Sequence, residues 1–314
     1  MDNSLEQESK SIEQQAFDIY YRCIKQIPDI PEDTIIYHYT SPEGILGITE
    51  SNSLWATDIN YLNDSSELRY IYGLVERIVK AKRKEWNPDF CTRILKLCDH
   101  WLKKYDLSNR LLFAYKRDSY VISFSLDQDN LNMWKCYTKT GNSMGYNIGF
   151  MKKELISNIP EPGLLHLISG KVIYDEVQQE KILTDLLSEY EHIYVQYLAE
   201  PKKDRIFSII GIPLGNLGVF FKHHAFYDEN EFRIVLQDHI FPGKPGLYKI
   251  DYRIKDGVFI PYTKLEFPAE AIKSIGISPS EKQQMAEFSV ERMLGPKYHL
   301  NYGDFFRSKI PYSP

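Results

Sequence analysis

Three short polar segments, each flanked by apolar runs, hold the residues most able to do chemistry: Thr34-Ile-Ile-Tyr-His-Tyr-Thr-Ser-Pro, Val121-Ile-Ser-Phe-Ser-Leu and Tyr227-Asp-Glu-Asn-Glu-Phe-Arg-Ile. Side chains alternate along a strand, so Ile36, His38 and Thr40 share one face of the first segment, and Ile35, Tyr37 and Tyr39 share the other. The same parity joins Ser123 to Ser125 and Glu229 to Glu231. A histidine, two hydroxyls and a carboxylate pair from three strands could therefore line one cleft. Each has a plainer reading. His38 at a strand end can be a structural histidine with one partner, and the two glutamates can be a charged strand start paired with Arg233. His223, His224, Asp228 and Glu231 would suit a metal-dependent hydrolase, although they lack HExxH or any other recognised ligand spacing. Glu229 with Glu231 as a glycosidase pair would take both carboxylates from one short segment.

The elements that must position these groups follow from periodicity. Residues 4–26 place Ile12, Ala16, Phe17, Ile19, Tyr20, Cys23 and Ile24 near helical spacing, and Ile27-Pro-Asp-Ile-Pro ends that helix. A strand at 34–39 follows. Thr40 or Ser41 then caps a short helix, with Pro42 in its first turn and Glu43 placed for a capping box. Strands are expected at 54–57, 120–126, 146–150, 172–174, 231–236, 247–254, 258–262 and 272–277. Helices are expected from Asp64 and Glu67 onward, around 90–101, at 177–198, and near the C-terminus through Met285 and Leu294. The basic run from Lys80 to Lys84 reads as a solvated helix end. Helices in the middle and strands in the last third indicate an α+β chain.

Composition sets outer limits. The chain has 314 residues, 43% hydrophobic and 14% aromatic, enough for a substantial core. Its net charge of −5 advertises no polyanion partner. Cys23, Cys91, Cys98 and Cys136 form no CxxC pair, which argues against a zinc ribbon or disulfide framework and favours reduced thiols. The acidic N-terminus lacks the features of a signal peptide. The apolar run Ile206 to Phe221 is broken by Gly211, Pro213, Gly215 and Gly218, too short to span a bilayer. These features predict a soluble cytoplasmic protein with no membrane partner.

The motifs together resemble a bacterial family labelled a domain of unknown function. The matching residues are Tyr37-His-Tyr-Thr before a Gly-Ile-Leu helix, Leu54-Trp-Ala-Thr, Ser123-Phe-Ser, Met133-Trp134 with Tyr137, and Gly145-Tyr-Asn-Ile-Gly-Phe. Lys222-His-His-Ala-Phe-Tyr-Asp-Glu-Asn-Glu-Phe-Arg and Ser308-Lys-Ile-Pro-Tyr complete the set. That family in turn is similar to ADP-ribosyltransferases. The resemblance implies an α+β fold with split antiparallel or mixed β-sheets and helices inserted in the first half. A helical extension at 1–33 would precede the domain at 34–314.

What the resemblance implies for chemistry is an enzyme acting on NAD, as an ADP-ribosyltransferase or an NAD glycohydrolase. His38, Tyr39 and Thr40 would position the dinucleotide, Ser123 or Ser125 would supply the middle-strand hydroxyl, and Glu229-Asn-Glu231 resembles a Glu-x-Glu turn whose second member is catalytic. Tyr61, Trp134, Tyr137 and Tyr146 are open alternatives for stacking on nicotinamide. Asn63 and Asp64 lie in the loop beside Tyr61, where Asp64 is expected as a helix cap. The Ser-Phe-Ser motif departs from the Ser-Thr-Ser of the arginine-modifying branch. Related transferases act as toxins in bacterial conflict, so a phage-defence effector is one expectation, with a protein, DNA or RNA acceptor. A non-catalytic nucleotide-binding or docking module, with a partner protein from the same operon, is another.

Overall fold

A capping box starts the first helix. Ser11 accepts from the Gln14 amide at 3.2 Å, and the Gln14 side chain accepts from the Ser11 amide at 2.8 Å. In this computed structural model, which describes residues 11–62, 67–102, 117–137, 144–157, 159, 167–239 and 246–311, two compact units form. One draws on residues 1–28, 64–112 and 173–224, the other on 29–63, 113–172 and 225–314.

The first unit is helical among its described residues. It contains α1 (Ile12–Ile24), α3 (Glu67–Lys82), α4 (Pro88–Leu102), α7 (Glu176–Gln196), α8 (Arg205–Ile209) and α9 (Gly211–Phe220). The apolar stripe expected on α1 is buried at Ile12, Ala16, Ile19, Tyr20, Cys23 and Ile24, whereas Phe17, at its margin, is half-buried. Polar groups inside are matched: Asn216 donates to the Tyr20 hydroxyl at 2.9 Å, and the Tyr190 hydroxyl donates to the Ala16 carbonyl at 2.9 Å. Burial pushes the Cys23 and Cys98 thiols up to about 12, which leaves them unreactive. The glycine-broken run 206–221 forms α8 and α9, and among the described residues no helix is long and apolar enough to cross a membrane.

The second unit carries the strands, with α2 (Pro42–Ser51), α5 (Leu131–Tyr137), α6 (Lys152–Ile156) and α10 (Gln283–Tyr298). The strands are β1 (Ile35–Thr40), β2 (Ser53–Asp58), β3 (Arg117–Ser125), β4 (Tyr146–Met151), β5 (Leu167–Lys171), β6 (Glu231–His239), β7 (Asp251–Lys255), β8 (Val258–Glu266), β9 (Ile272–Ile277) and β10 (Phe305–Arg307). They form one branched sheet in the order β10-β9-β4-β1-β3-β2-β8-β7, with β6 also on β3 and β5 on β6. Only the β9–β10 pair among these is parallel, so the sheet is mixed and the class is α+β. One face packs a core that includes Ile36, Phe124, Phe150, Phe232, Ile275 and, from α10, Val290 and Leu294.

Ser41 rather than Thr40 is the cap of α2, accepting from the Gly44 amide at 3.2 Å, with Pro42 next. Two expected strands shift. Val172-Ile-Tyr forms no strand of its own: the Val172 amide donates to the Glu231 carbonyl at 2.9 Å where the β5–β6 ladder ends, and Ile173 then makes an isolated bridge to Phe221. The strand expected at 247–254 shortens to β7, and the Lys249 carbonyl accepts from the Thr263 hydroxyl at 3.1 Å instead of entering a ladder. The proposed cap at Asp64, with Asn63, lies outside the described residues.

Candidate functional site

The sheet branches at β3. On one side this strand pairs with β6 over its whole length, from Arg117 opposite His239 to Ser125 opposite Glu231. On the other it meets β2 at Tyr120 and Val121, and β1 at Ser125. Ser123 lies between those two contacts, and its carbonyl is taken by His38 Nδ1 at 3.0 Å. His38 thus closes the gap where β1 and β2 part.

A carbonyl can only accept, so Nδ1 carries the proton. Burial holds His38 below its ordinary value of 6.5, opposed by that hydrogen bond, so the ring is neutral near pH 7 with Nε2 as an acceptor. The ring also meets Phe124 edge-on at 5.7 Å.

Directly opposed residues in an antiparallel sheet share a face. Ser274 opposes Gly149, Gly149 opposes Tyr37, Tyr37 opposes Ser125, and Ser125 opposes Glu231. One row therefore crosses five strands, with Ser123 opposite Arg233 in the next row. The register brings Ser123, Ser125 and Glu231 together, but places Tyr37, not His38, on their face. His38 projects to the side of Phe124, so the expectation that His38 and Glu231 share one polar face is corrected: the branch separates them.

Glu231 and Arg233, two apart on β6, lie on the same face and are buried, at 4% and 1% exposure. Arg233 Nε donates to Glu231 Oε1 at 2.9 Å and Nη2 to Oε2 at 2.8 Å, a bidentate pair that fixes both carboxylate oxygens. Gly170 on β5 opposes Arg233. Glu229 ends a short turn of 3-10 helix, and Asn230 follows in the left-handed region at φ 41°. Glu229 thus lies in the turn before β6, where its main-chain carbonyl accepts from Ser125 Oγ at 2.9 Å. Ser125 Oγ also accepts from the Asp127 amide at 3.1 Å, so its hydroxyl ties the end of β3 to the start of β6.

The aromatic candidates separate by burial. Trp134 is buried, 4.6 Å from the Tyr39 ring, with Nε1 donating to Asp129 Oδ1 at 2.8 Å. Tyr39 is buried too; its hydroxyl donates to the Asp127 carbonyl at 2.8 Å and accepts from the Asn130 amide at 3.1 Å. Tyr146 is also buried, whereas Tyr61 is exposed after β2. The side chain of Tyr137 lies outside the described residues. Thr40 is buried against α2, where a Cβ on Gly44 would come within 1.9 Å of its Oγ1.

Asp129 holds the C-terminal segment as well: Oδ1 accepts from Ser308 Oγ at 2.6 Å and Oδ2 from the Lys309 amide at 3.1 Å. The plainer reading of Glu231 as a strand-start carboxylate paired with Arg233 holds, while Tyr37 and Asp129 carry no motif that marks them as site residues. The one signal for Tyr37 is strand parity, which becomes decisive only with the register. Among the described residues, no group of three or more His, Cys, Asp or Glu side chains is placed to hold a metal ion. Asp228 instead accepts from Asn132 Nδ2 at 3.0 Å.

Residues 133–234 match the family described as a protein of unknown function, DUF2971. The matched stretch runs from Met133 in α5 to Ile234 in β6, and so contains Trp134, Gly149, Glu231 and Arg233. No curated protein and no solved structure matches the chain.

Proposed function

We propose that this chain, which carries a DUF2971 domain at residues 133–234, binds NAD at the branch of the sheet and breaks its nicotinamide–ribose bond, passing ADP-ribose to a macromolecular acceptor or to water. The observation that carries this reading is the buried Glu231 carboxylate, oriented through both oxygens by Arg233 and opposed by Ser125. Departure of nicotinamide leaves positive charge on the ribose. A carboxylate already oriented, in a site of low polarity, stabilises that charge more than it stabilises the ground state. Loss of one such preorganised group costs on the order of 3 kcal/mol in the barrier, a rate loss of roughly a hundredfold.

A second reading, nucleotide binding without turnover, draws support from the charge neutralisation of Glu231 by Arg233 and from the structural bonds that occupy Ser125. One experiment separates the two. Purified protein is incubated with NAD and with protein, DNA or RNA acceptors, and released nicotinamide and transferred label are measured for wild type and Glu231→Gln. Release that falls about a hundredfold in the variant, with its circular dichroism unchanged, supports catalysis. NAD binding by calorimetry without release supports the binding reading. Absence of both, or equal turnover in the two proteins, removes Glu231 from the chemistry.

A further inference from the structure

The β7 strand, Asp251–Lys255, ends the order β3-β2-β8-β7 and has one open edge among the described residues. It is joined to β8 by the two-residue turn Asp256-Gly257, both in the left-handed region at φ 52° and 78°, and Lys255 faces Val258. In such a hairpin the pair flanking the turn exchanges hydrogen bonds, and bonded pairs then alternate. The backbone groups of residues 251, 253 and 255 therefore point to β8. Those of Tyr252 and Ile254 point outward.

The side chains make this edge unusual. Tyr252, Ile254 and Phe259 are 64%, 72% and 66% exposed, and Ile254 opposes Phe259 while Tyr252 opposes Pro261, so they form one apolar face. Asp251, Arg253 and Lys255 put charge on the other face of the strand, but of both signs, so the outward backbone groups of Tyr252 and Ile254 beside apolar side chains can still recruit another strand.

We propose that the β7 edge pairs with the β7 edge of a second copy of this chain, antiparallel, about a two-fold axis at Arg253. The sequence Asp-Tyr-Arg-Ile-Lys is complementary to itself in that one register. Tyr252 then opposes Ile254 of the other copy through the outward backbone groups, an aromatic against a β-branched side chain, twice per dimer. Asp251 opposes Lys255, again twice. Asp251 already lies 3.5 Å from Lys249 and 3.8 Å from Lys264, so its pairing with Lys255 selects the register more than it adds strength. The axis also brings the two Arg253 residues together. Their like charge is drawn aside, because each guanidinium lies 5.6 Å over the Trp55 ring and donates to Thr57 Oγ1 at 3.1 Å. A five-residue strand contact falls below the standard of about 800 Å² per partner, so the dimer is weak, in the micromolar range.

Sedimentation velocity of the full chain, over a concentration series in the micromolar range, tests the pairing. Wild type is expected to shift from monomer to dimer. Asp251→Lys and Lys255→Asp each place like charges opposite one another and weaken the dimer about tenfold. An equimolar mixture of these two variants restores it, since every 251–255 contact then joins opposite charges. Ile254→Lys abolishes it. A wild type that stays monomeric throughout, or a dimer that ignores both charge reversals, overturns the proposal. Circular dichroism on each variant checks that the changes leave the fold intact.

Discussion

Glu231 and Arg233 face each other along one strand through two hydrogen bonds of 2.9 and 2.8 Å, with both side chains buried. The pair unites the proposed chemistry with the stability of β6. Breaking a buried ion pair leaves an unmatched charge, at about 3–5 kcal/mol, whereas replacing both partners by apolar groups is often neutral. Glu231→Ala is therefore expected to lower the free energy of unfolding by about that amount in urea titrations. The double variant Glu231→Leu with Arg233→Met should recover most of the loss. A double variant less stable than the single one would contradict this account of the pair.

His38 makes stability depend on pH. Its folded value lies below the ordinary 6.5, so the unfolded chain takes up the proton first. Its contribution is complete above about pH 6.5 and declines as the pH falls from there through the lowered folded value. Urea midpoints measured at about pH 7.5 and about pH 5.5 should drop more for wild type than for His38→Gln. Equal drops would place the titration elsewhere.

The two serines are expected to differ. Ser125→Ala removes one hydroxyl that serves both the Glu229 carbonyl and the Asp127 amide, and should cost about 1–3 kcal/mol. Ser123 contributes its main-chain carbonyl to His38, so Ser123→Ala should stay within about 0.5 kcal/mol of wild type in the same unfolding measurement.

Asp129 fastens Ser308 and Lys309, alongside the hydrogen bond from the Ser308 amide to the Ile277 carbonyl and that from the Gln283 side chain to the Ser308 carbonyl. Asp129→Ala deprives Trp134 Nε1, Ser308 Oγ and the Lys309 amide of their acceptor together. Amide hydrogen exchange around residues 308–310 should accelerate strongly while the amides of β3 and β6 keep their protection. Unchanged exchange at Lys309 would show that other contacts hold the segment.

Local patterns were legible in the residues themselves. Ser41 and Pro42 start α2, the α1 stripe is buried as its spacing indicated, and β1, β4, β6 and β9 lie where alternation placed them. These depend on neighbours within a few positions. Parity also joined Ser123 to Ser125 correctly. What parity lacks is the register between strands distant in sequence, and a shift of one residue moves a whole set of side chains to the opposite face. Only the tertiary pairing of Tyr37 with Ser125 decided that Tyr37 shares the face of Glu231 and that His38 plugs the branch. Likewise, Glu231 and Arg233 were adjacent on one face by spacing alone. Their bidentate bond in a buried site required β3 and β5 to flank β6 on both sides.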